Sequence, residues 1–122
     1  HIFNNLTENC KEIVWQRRRP AQTQNSNYLV TGRIAGGARD ELCRRLLAAG
    51  IPITPFYPHT LYQNPIYTRA TCRVMPCPVA EARIHDSFWI GHRAFLAPAE
   101  TIHEIAHAVR EAISALRVSV LS

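Results

Sequence analysis

Two histidines near the end of the chain are spaced so that they could share one metal ion. The segment His103-Glu104-Ile105-Ala106-His107 has the HExxH pattern. On a helix, the two imidazoles lie one turn apart and can hold a zinc ion while the glutamate activates a water molecule. The pattern therefore indicates a zinc hydrolase as one hypothesis, with His103 and His107 as ligands and Glu104 as the base.

The sequence around this motif does not supply a third ligand. A catalytic zinc ion needs three protein ligands and a water molecule, but Ala108-Val109-Arg110 follows His107 in place of the glycine and third histidine of the longer metalloprotease pattern. An apolar stripe along the same predicted helix leaves the motif on the solvent side. The stripe consists of Ile102, Ile105, Ala106, Val109, Ala112, Ile113 and Leu116. We therefore predict a solvated helix face and no metal site, and keep the zinc site as the alternative.

Four elements are predicted in the first half of the chain. Helical spacing of apolar residues predicts a first helix over residues 2–17, which ends before Pro20. Residues 28–34 are rich in strand formers and are followed by two glycines, so a strand and a turn are expected. Residues 38–49 form the next predicted helix, closed by Gly50. The prolines in residues 51–57 then require an extended chain, which predicts an edge strand.

The second half predicts a long loop and three further elements. Residues 58–71 are too many for a simple turn, and loops of that length are often functional. A short helix over Pro78–Asp86, a strand over Ser87–Ile90 and a final helix over Pro98–Leu116 follow, the last with a capping box formed by Thr101 and Glu104. This order predicts an α+β fold in which helices cover a small, mostly antiparallel sheet.

Composition limits the setting of this domain. The chain has 122 residues, of which 47% are hydrophobic, so we expect one core and one domain over residues 1–122. Because the chain begins with His1 instead of methionine, we expect a fragment of a longer protein. The four cysteines form no CxxC pair, which favours a reduced, cytoplasmic setting. No apolar stretch approaches the roughly 18 residues of a membrane span.

The net charge of +5 does not by itself indicate nucleic-acid binding. The arginines are dispersed except at Arg17-Arg18-Arg19, and a solvated helix end explains that cluster better than a polyanion site does. A stand-alone basic α+β module that binds an anionic partner through these arginines nevertheless remains a second alternative.

Five motifs in order resemble the C-terminal small domain of the DegT/DnrJ/EryC1/StrS aminotransferases. They are the helix ending at Gly50, Tyr57-Pro58-His59, Tyr62-Gln63-Asn64-Pro65-Ile66-Tyr67, Cys77-Pro78-Val79-Ala80-Glu81 and Trp89-Ile90-Gly91-His92-Arg93-Ala94-Phe95-Leu96. The likeness extends from about residue 28 to 116. It is nearest to the branch that includes the aminocyclitol aminotransferases and 3-amino-5-hydroxybenzoate synthase.

The resemblance implies part of a pyridoxal-phosphate enzyme of fold type I. Such an enzyme transfers an amino group from glutamate or glutamine to a keto sugar or keto cyclitol, and it acts as a homodimer. In the family, pyridoxal 5'-phosphate is bound mainly by a large N-terminal domain, which is missing here and would be the partner of this chain. The single lysine, Lys11, has no Schiff-base motif around it. The resemblance thus implies that the chain alone is inactive and contains no catalytic residue.

Within this resemblance, five polar side chains are candidate contacts to the substrate. Each offers hydrogen bonds to hydroxyl or carboxylate groups. The candidates are Tyr57, His59 and Tyr62 in the long loop, and His92 and Arg93 after the last strand. Phe56 stands where family members often carry a histidine.

Overall fold

The computed structural model describes residues 2–16, 21, 28–67 and 73–120, which form a small sheet with helices packed against it. The helices are α1 (Ile2–Thr7), α2 (Arg39–Ala48), α3 (Pro78–Asp86) and α4 (Ala99–Val120), and the strands are β1 (Ile13–Trp15), β2 (Leu29–Ile34), β3 (Ile53–Pro55) and β4 (Ser87–Gly91). Short 3-10 turns occur at Leu61–Gln63 and His92–Leu96. The predicted α+β fold is confirmed. Arg17, Arg18, Arg19 and Cys72 lie outside the described residues.

The sheet is antiparallel and has the strand order β1-β2-β4-β3. Strand β4 lies between β2 and β3, so that Phe88 pairs with Gly32 on one side and with Pro55 on the other. Strand β3 is therefore an edge, as its prolines require, because a proline nitrogen cannot donate to a second neighbour. The chain reaches this edge from β2 through α2, which covers the sheet between them.

The predicted first helix over residues 2–17 is wrong beyond Thr7. The buried Thr7 hydroxyl donates to the carbonyl of Phe3 (2.9 Å), and the amide of Cys10 then donates to the carbonyl of Thr7 (3.0 Å), which turns the chain. Ile13, Val14 and Trp15 continue as a strand, in which Ile13 is buried and Val14 is exposed. β-branched and aromatic residues favour that conformation. The apolar spacing fitted a helix only because a helical turn and a strand follow each other closely.

The other predicted elements agree with the structure to within a few residues, and residues 68–71 of the predicted loop lie outside the described residues. Gly50 has a φ of 79°, the left-handed conformation that ends a helix, and the amide of Ile51 returns to the carbonyl of Leu46 (2.9 Å). The predicted capping box of the last helix is wrong, because α4 begins at Ala99 and Thr101 therefore lies inside its first turn. The amide of Ile102 already donates to the carbonyl of Pro98 (3.2 Å).

One hydrophobic core lies between the sheet and the helices. Phe88 and Ile90 of β4 are completely buried and meet Leu42 and Leu46 of α2 and Val109 of α4. Helix α4 packs against both α1 and α2 through the predicted apolar stripe, which is buried except for the half-buried Ile102. The core also includes two thiols, Cys10 and Cys43, which pack there as small apolar side chains. Burial raises the pKa of Cys43 to about 11.

In the described part of the chain, no helix is both long enough and apolar enough to cross a bilayer.

Gly32 provides a test of how closely the sheet and its aromatic residues fit together. A Cβ atom at Gly32 would lie 2.6 Å from Cζ of Phe88 and 3.0 Å from Cε3 of Trp15. We expect Gly32→Ala to lower the free energy of unfolding by about 1–3 kcal/mol, because both rings are held by the core. Urea denaturation measures the change.

Gly91→Ala is the matched control, because Gly91 lies in the same sheet and nothing lies within 4 Å of an added Cβ. It should leave the free energy of unfolding within about 0.5 kcal/mol of the wild-type value. Equal losses in the two variants would contradict the close fit at Gly32.

Candidate functional site

A groove lies between the loop after β3 and helix α3. Its volume is about 650 Å³. The loop forms one wall and α3 the other, and the lining residues are Phe56, Tyr57, Pro58, His59, Thr60, Leu61, Asn64, Ala80, Arg83 and Ile84. Two of the five predicted substrate contacts, Tyr57 and His59, therefore line one groove.

Local hydrogen bonds shape the loop wall. The amide and the hydroxyl of Thr60 both donate to Oε1 of Gln63, at 3.0 and 2.9 Å. The amide of Ile66 donates to the side-chain oxygen of Asn64 (3.1 Å). The amide of Tyr67 donates to the backbone carbonyl of Asn64 (2.9 Å). Such bonds fix turns when the polar side chain is short. Thr60, Gln63 and Asn64 are thus engaged within the loop.

Tyr62 joins the loop to α3. Its hydroxyl donates to the carboxylate of Glu81 and accepts a hydrogen bond from the amide of Cys77 (3.0 Å). Cys77 is the N-cap of α3, and Glu81 lies in its first turn. The tyrosine therefore satisfies one of the free amides at the start of the helix and holds the two walls of the groove together. We refer to these three residues as the clasp.

The aromatic end of the groove rests on the sheet. The amide of Phe56 donates to the carbonyl of Ser87 (2.9 Å), which continues the β3–β4 pairing by one residue. The Trp89 ring lies 5.3 Å from the Phe56 ring and 5.5 Å from the Tyr57 ring, measured between centroids. Tilted and edge-to-face contacts of this kind stabilise aromatic clusters. Trp89 thereby anchors Tyr57 at the mouth of the groove.

The groove wall formed by α3 carries one charge that is already paired. Arg83 donates from Nη1 to Oδ2 of Asp86 (2.6 Å). At the end of the same helix, the guanidinium of Arg39 donates to the carbonyl of Ile84 and so caps α3 from α2. The remaining groove surface is mainly apolar. It suits rings and aliphatic groups better than a strongly charged ligand.

His92 and Arg93 lie at the opposite end of β4. The whole length of that strand, roughly 15 Å, separates His92 from the residues beside Ser87. The imidazole of His92 stacks on the Tyr28 ring with 5.3 Å between centroids, and its amide donates to the carbonyl of Tyr28 (3.2 Å). Arg93 is exposed. The structure thus divides the predicted contacts between two ends of the sheet.

The HExxH residues lie on the outer face of α4. His103, Glu104 and His107 are exposed and form an open surface patch with Arg110. Among the described residues, no group of three His, Cys, Asp or Glu side chains is arranged to hold a metal ion. The buried side of the helix is the predicted stripe. The zinc alternative therefore has two candidate ligands and no third in this part of the chain.

Sequence comparison identifies the family to which this arrangement belongs. Residues 1–110 match the model of the DegT/DnrJ/EryC1/StrS aminotransferase family. The chain belongs to this family. The match covers both groove walls, the clasp and the His92 end of the sheet. No curated protein sequence matches the chain.

Two solved structures share the fold of this family member. One is 3-amino-5-hydroxybenzoic acid (AHBA) synthase, with a TM-score of 0.78 and 23% identity over 93% of this chain. The other is the aminotransferase TlmJ from Streptoalloteichus hindustanus, with a TM-score of 0.75 and 19% identity over 94% of this chain. This chain spans 32% of the first protein and 30% of the second.

Sequence reasoning alone did not place Asn64, Ala80 and Arg83 in the groove. Ala80, Arg83 and Ile84 share one face of α3, since they lie three and four residues apart, and this spacing was the available signal. Asn64 gave no signal of that kind, because its position depends on the turn that follows it. The clasp could not be read from the sequence either, since Tyr62 and Glu81 are separated by nineteen positions.

The substitution Tyr62→Phe tests the clasp. It removes the hydroxyl that accepts from the Cys77 amide and donates to Glu81. We therefore expect the Cys77 amide hydrogen to exchange with solvent about tenfold faster. Hydrogen exchange measured by NMR tests this directly. The change in global stability should be about 1 kcal/mol.

Tyr67→Phe is the matched control, because it removes a hydroxyl from an exposed ring in the same loop. It should leave exchange of the Cys77 amide unchanged. Unchanged exchange in Tyr62→Phe as well would show that the clasp does not hold the helix start.

The exposed motif on α4 makes a prediction about zinc. After incubation with zinc and dialysis, we expect the chain to retain far less than one zinc ion per molecule, because two ligands on a solvated helix do not complete a site. Elemental analysis of the wild type and of His107→Ala should give the same low value. A stoichiometric zinc ion that is lost in His107→Ala would instead favour the hydrolase alternative.

Proposed function

We propose that this chain is the small C-terminal domain of a pyridoxal-phosphate-dependent aminotransferase that transfers an amino group from glutamate or glutamine to a keto sugar or keto cyclitol. The observation that carries this proposal is the family match over residues 1–110. The fold shared with AHBA synthase and TlmJ supports it. AHBA synthase is named for a ring that bears an amino group, which favours a cyclic substrate here.

The cofactor does not fit the residues that this chain offers. Enzymes of this class hold pyridoxal phosphate through a lysine, and the cofactor supplies an electron sink when bound. The only lysine in the sequence, Lys11, is exposed in the turn between α1 and β1. It is not among the residues of the groove. We therefore assign the cofactor to a large N-terminal domain and assign this chain the role of enclosing the substrate.

The predicted contacts are assigned to two separate surfaces. A substrate the size of one sugar ring does not reach from the groove to His92, since the length of β4 lies between them. We assign Tyr57 and His59 to one active site, with Tyr62 holding the loop that carries them. His92 and Arg93 face a second surface, which in a homodimer would be turned towards the other subunit.

The first experiment is to sequence the DNA upstream of the His1 codon. An in-frame segment of about 250 codons that encodes a lysine-bearing α/β domain is the expected finding. The full-length protein should then show the absorbance of bound pyridoxal phosphate, whereas this chain alone should neither bind the cofactor nor transaminate. A stop codon directly upstream would contradict the proposal. The cytoplasmic location belongs to the same proposal and is tested by fractionating the cells.

In the full-length enzyme, His59→Ala tests the substrate side of the groove. Loss of one hydrogen bond to a substrate hydroxyl should raise KM for the keto substrate about tenfold, which corresponds to about 1.4 kcal/mol. The cofactor absorbance should not change. Steady-state kinetics with the keto substrate varied at saturating amino donor measure the effect.

His103→Ala is the matched control, since it removes a histidine from the outer face of α4. Its kcat and KM should equal those of the wild type. If His59→Ala has the kinetics of the wild type, His59 does not contact the substrate. The assignment of the chain to the aminotransferases would not change.

A further inference from the structure

The α3 wall of the groove contains a cation that this chain neutralises with its own carboxylate. Among the residues that line the groove, Arg83 alone carries a permanent charge. Its Nη1 donates to Oδ2 of Asp86 at 2.6 Å. The Arg83 side chain is 46% exposed and the Asp86 side chain 20%. The carboxylate is thus the more buried member of the pair, while the guanidinium reaches the groove.

Asp86 is held in place from a second side. The hydroxyl of Ser87 donates to Oδ1 of Asp86 (3.1 Å), so each carboxylate oxygen has its own donor. Ser87 is both the C-cap of α3 and the first residue of β4. Because β4 is paired on both sides, the carboxylate is tied to an inner strand of the sheet.

Helix stability does not explain a carboxylate at this position. Asp86 is the last residue of α3, where the helix dipole favours a cation and disfavours a negative charge. An ion pair between residues three positions apart stabilises a helix only slightly. The pair therefore matters more for the charge of the groove than for the fold.

The pairing decides which ligands the groove favours. An unpaired arginine offers a fork of donors that fits a phosphate group. With Asp86 bound to Arg83 the two charges cancel, and a phosphate group in the groove would also be repelled by the nearby carboxylate. The opposite wall adds the apolar surfaces of Phe56, Tyr57 and Leu61. This combination suits the carbon skeleton of an uncharged ring.

We infer that Asp86 is a specificity-determining residue, which neutralises Arg83 so that the groove accepts an uncharged keto ring and rejects its phosphate ester. This inference rests on the proposed function and narrows its substrate class. The residue acts through Arg83 and needs no contact with the substrate itself.

The wild-type full-length enzyme provides the first test. Its two amino acceptors are inosose, an uncharged keto cyclitol, and the monophosphate ester of inosose. We define the selectivity ratio as kcat/KM for the ester divided by kcat/KM for inosose. The ratio should be about 0.1 or less, because a phosphate group that leaves water needs a cation that is free to pair with it.

The substitution Asp86→Asn tests the residue itself. The amide retains an acceptor for the Ser87 hydroxyl but no longer neutralises Arg83. The freed guanidinium can then form charge-assisted hydrogen bonds to the ester, which should raise the selectivity ratio about tenfold. In the double variant Asp86→Asn, Arg83→Gln, the ratio should return to within about twofold of the wild-type value, because the cation is removed as well.

Glu41→Gln is the matched control. Glu41 also pairs with an arginine three residues away on a helix, since Arg44 lies 2.6 Å from it, and it is not among the groove residues. The substitution removes the same charge from the chain. The selectivity ratio should therefore stay within about twofold of the wild-type value.

Four results would overturn the inference. They are a wild-type enzyme that uses the ester as well as inosose or uses neither compound, an unchanged ratio in Asp86→Asn, an equal rise in Glu41→Gln, and a gain that persists in the double variant. The absorbance of bound pyridoxal phosphate reports separately on the proposed function. A full-length protein that binds no cofactor would contradict that proposal, whereas the four results above are read in protein that has bound it.

Discussion

Strand β4 is the element on which the rest of this structure depends. It pairs with β2 on one side and β3 on the other, and its core face buries Phe88 and Ile90 completely. Burial of two large apolar side chains contributes roughly 3–6 kcal/mol. Helix α2 packs on this face and α4 packs on α2, while Trp89 on the opposite face supports Phe56 and Tyr57. The core and the groove are thus two sides of one strand.

The ends of the same strand determine what the domain presents to its surroundings. At one end, Phe56 continues the pairing of β3 with β4 by bonding to Ser87, and the groove loop begins directly after it. The clasp then fixes this loop to α3. Beyond Gly91, the chain turns to His92, whose ring stacks on Tyr28. Because the strand is rigid and paired on both sides, the two polar ends keep a constant separation. A family of enzymes that acts on different substrates can vary either end without disturbing the core.

Local signals in the sequence predicted most of the elements. The glycine at position 50, the prolines around β3 and the apolar stripe of α4 each act within a few residues, so their consequences could be read directly. The first helix was extended too far because Ile13 fits both a helical and an alternating pattern, and only pairing with Ile34 decides between them. The HExxH pattern is a local signal that does not predict a site by itself. A zinc site also needs a third ligand from a distant part of the chain. The groove loop was expected from its length, whereas the partners of Tyr62 and the position of Arg83 depend on contacts between distant segments.

The order of strands has a consequence for how the chain folds. Strands β2 and β3 lie close in sequence, yet neither pairs with the other, and β3 finds its partner only in β4. During synthesis, β3 must therefore wait, unpaired, until the groove loop and α3 have emerged. The last helix, α4, then closes the core, and Arg117 pairs with Glu12 across almost the whole chain. Contacts between such distant segments slow folding. Helix α4 is made after all the strands, so a ribosome that stalled before it would hold a chain whose core still lacks α4.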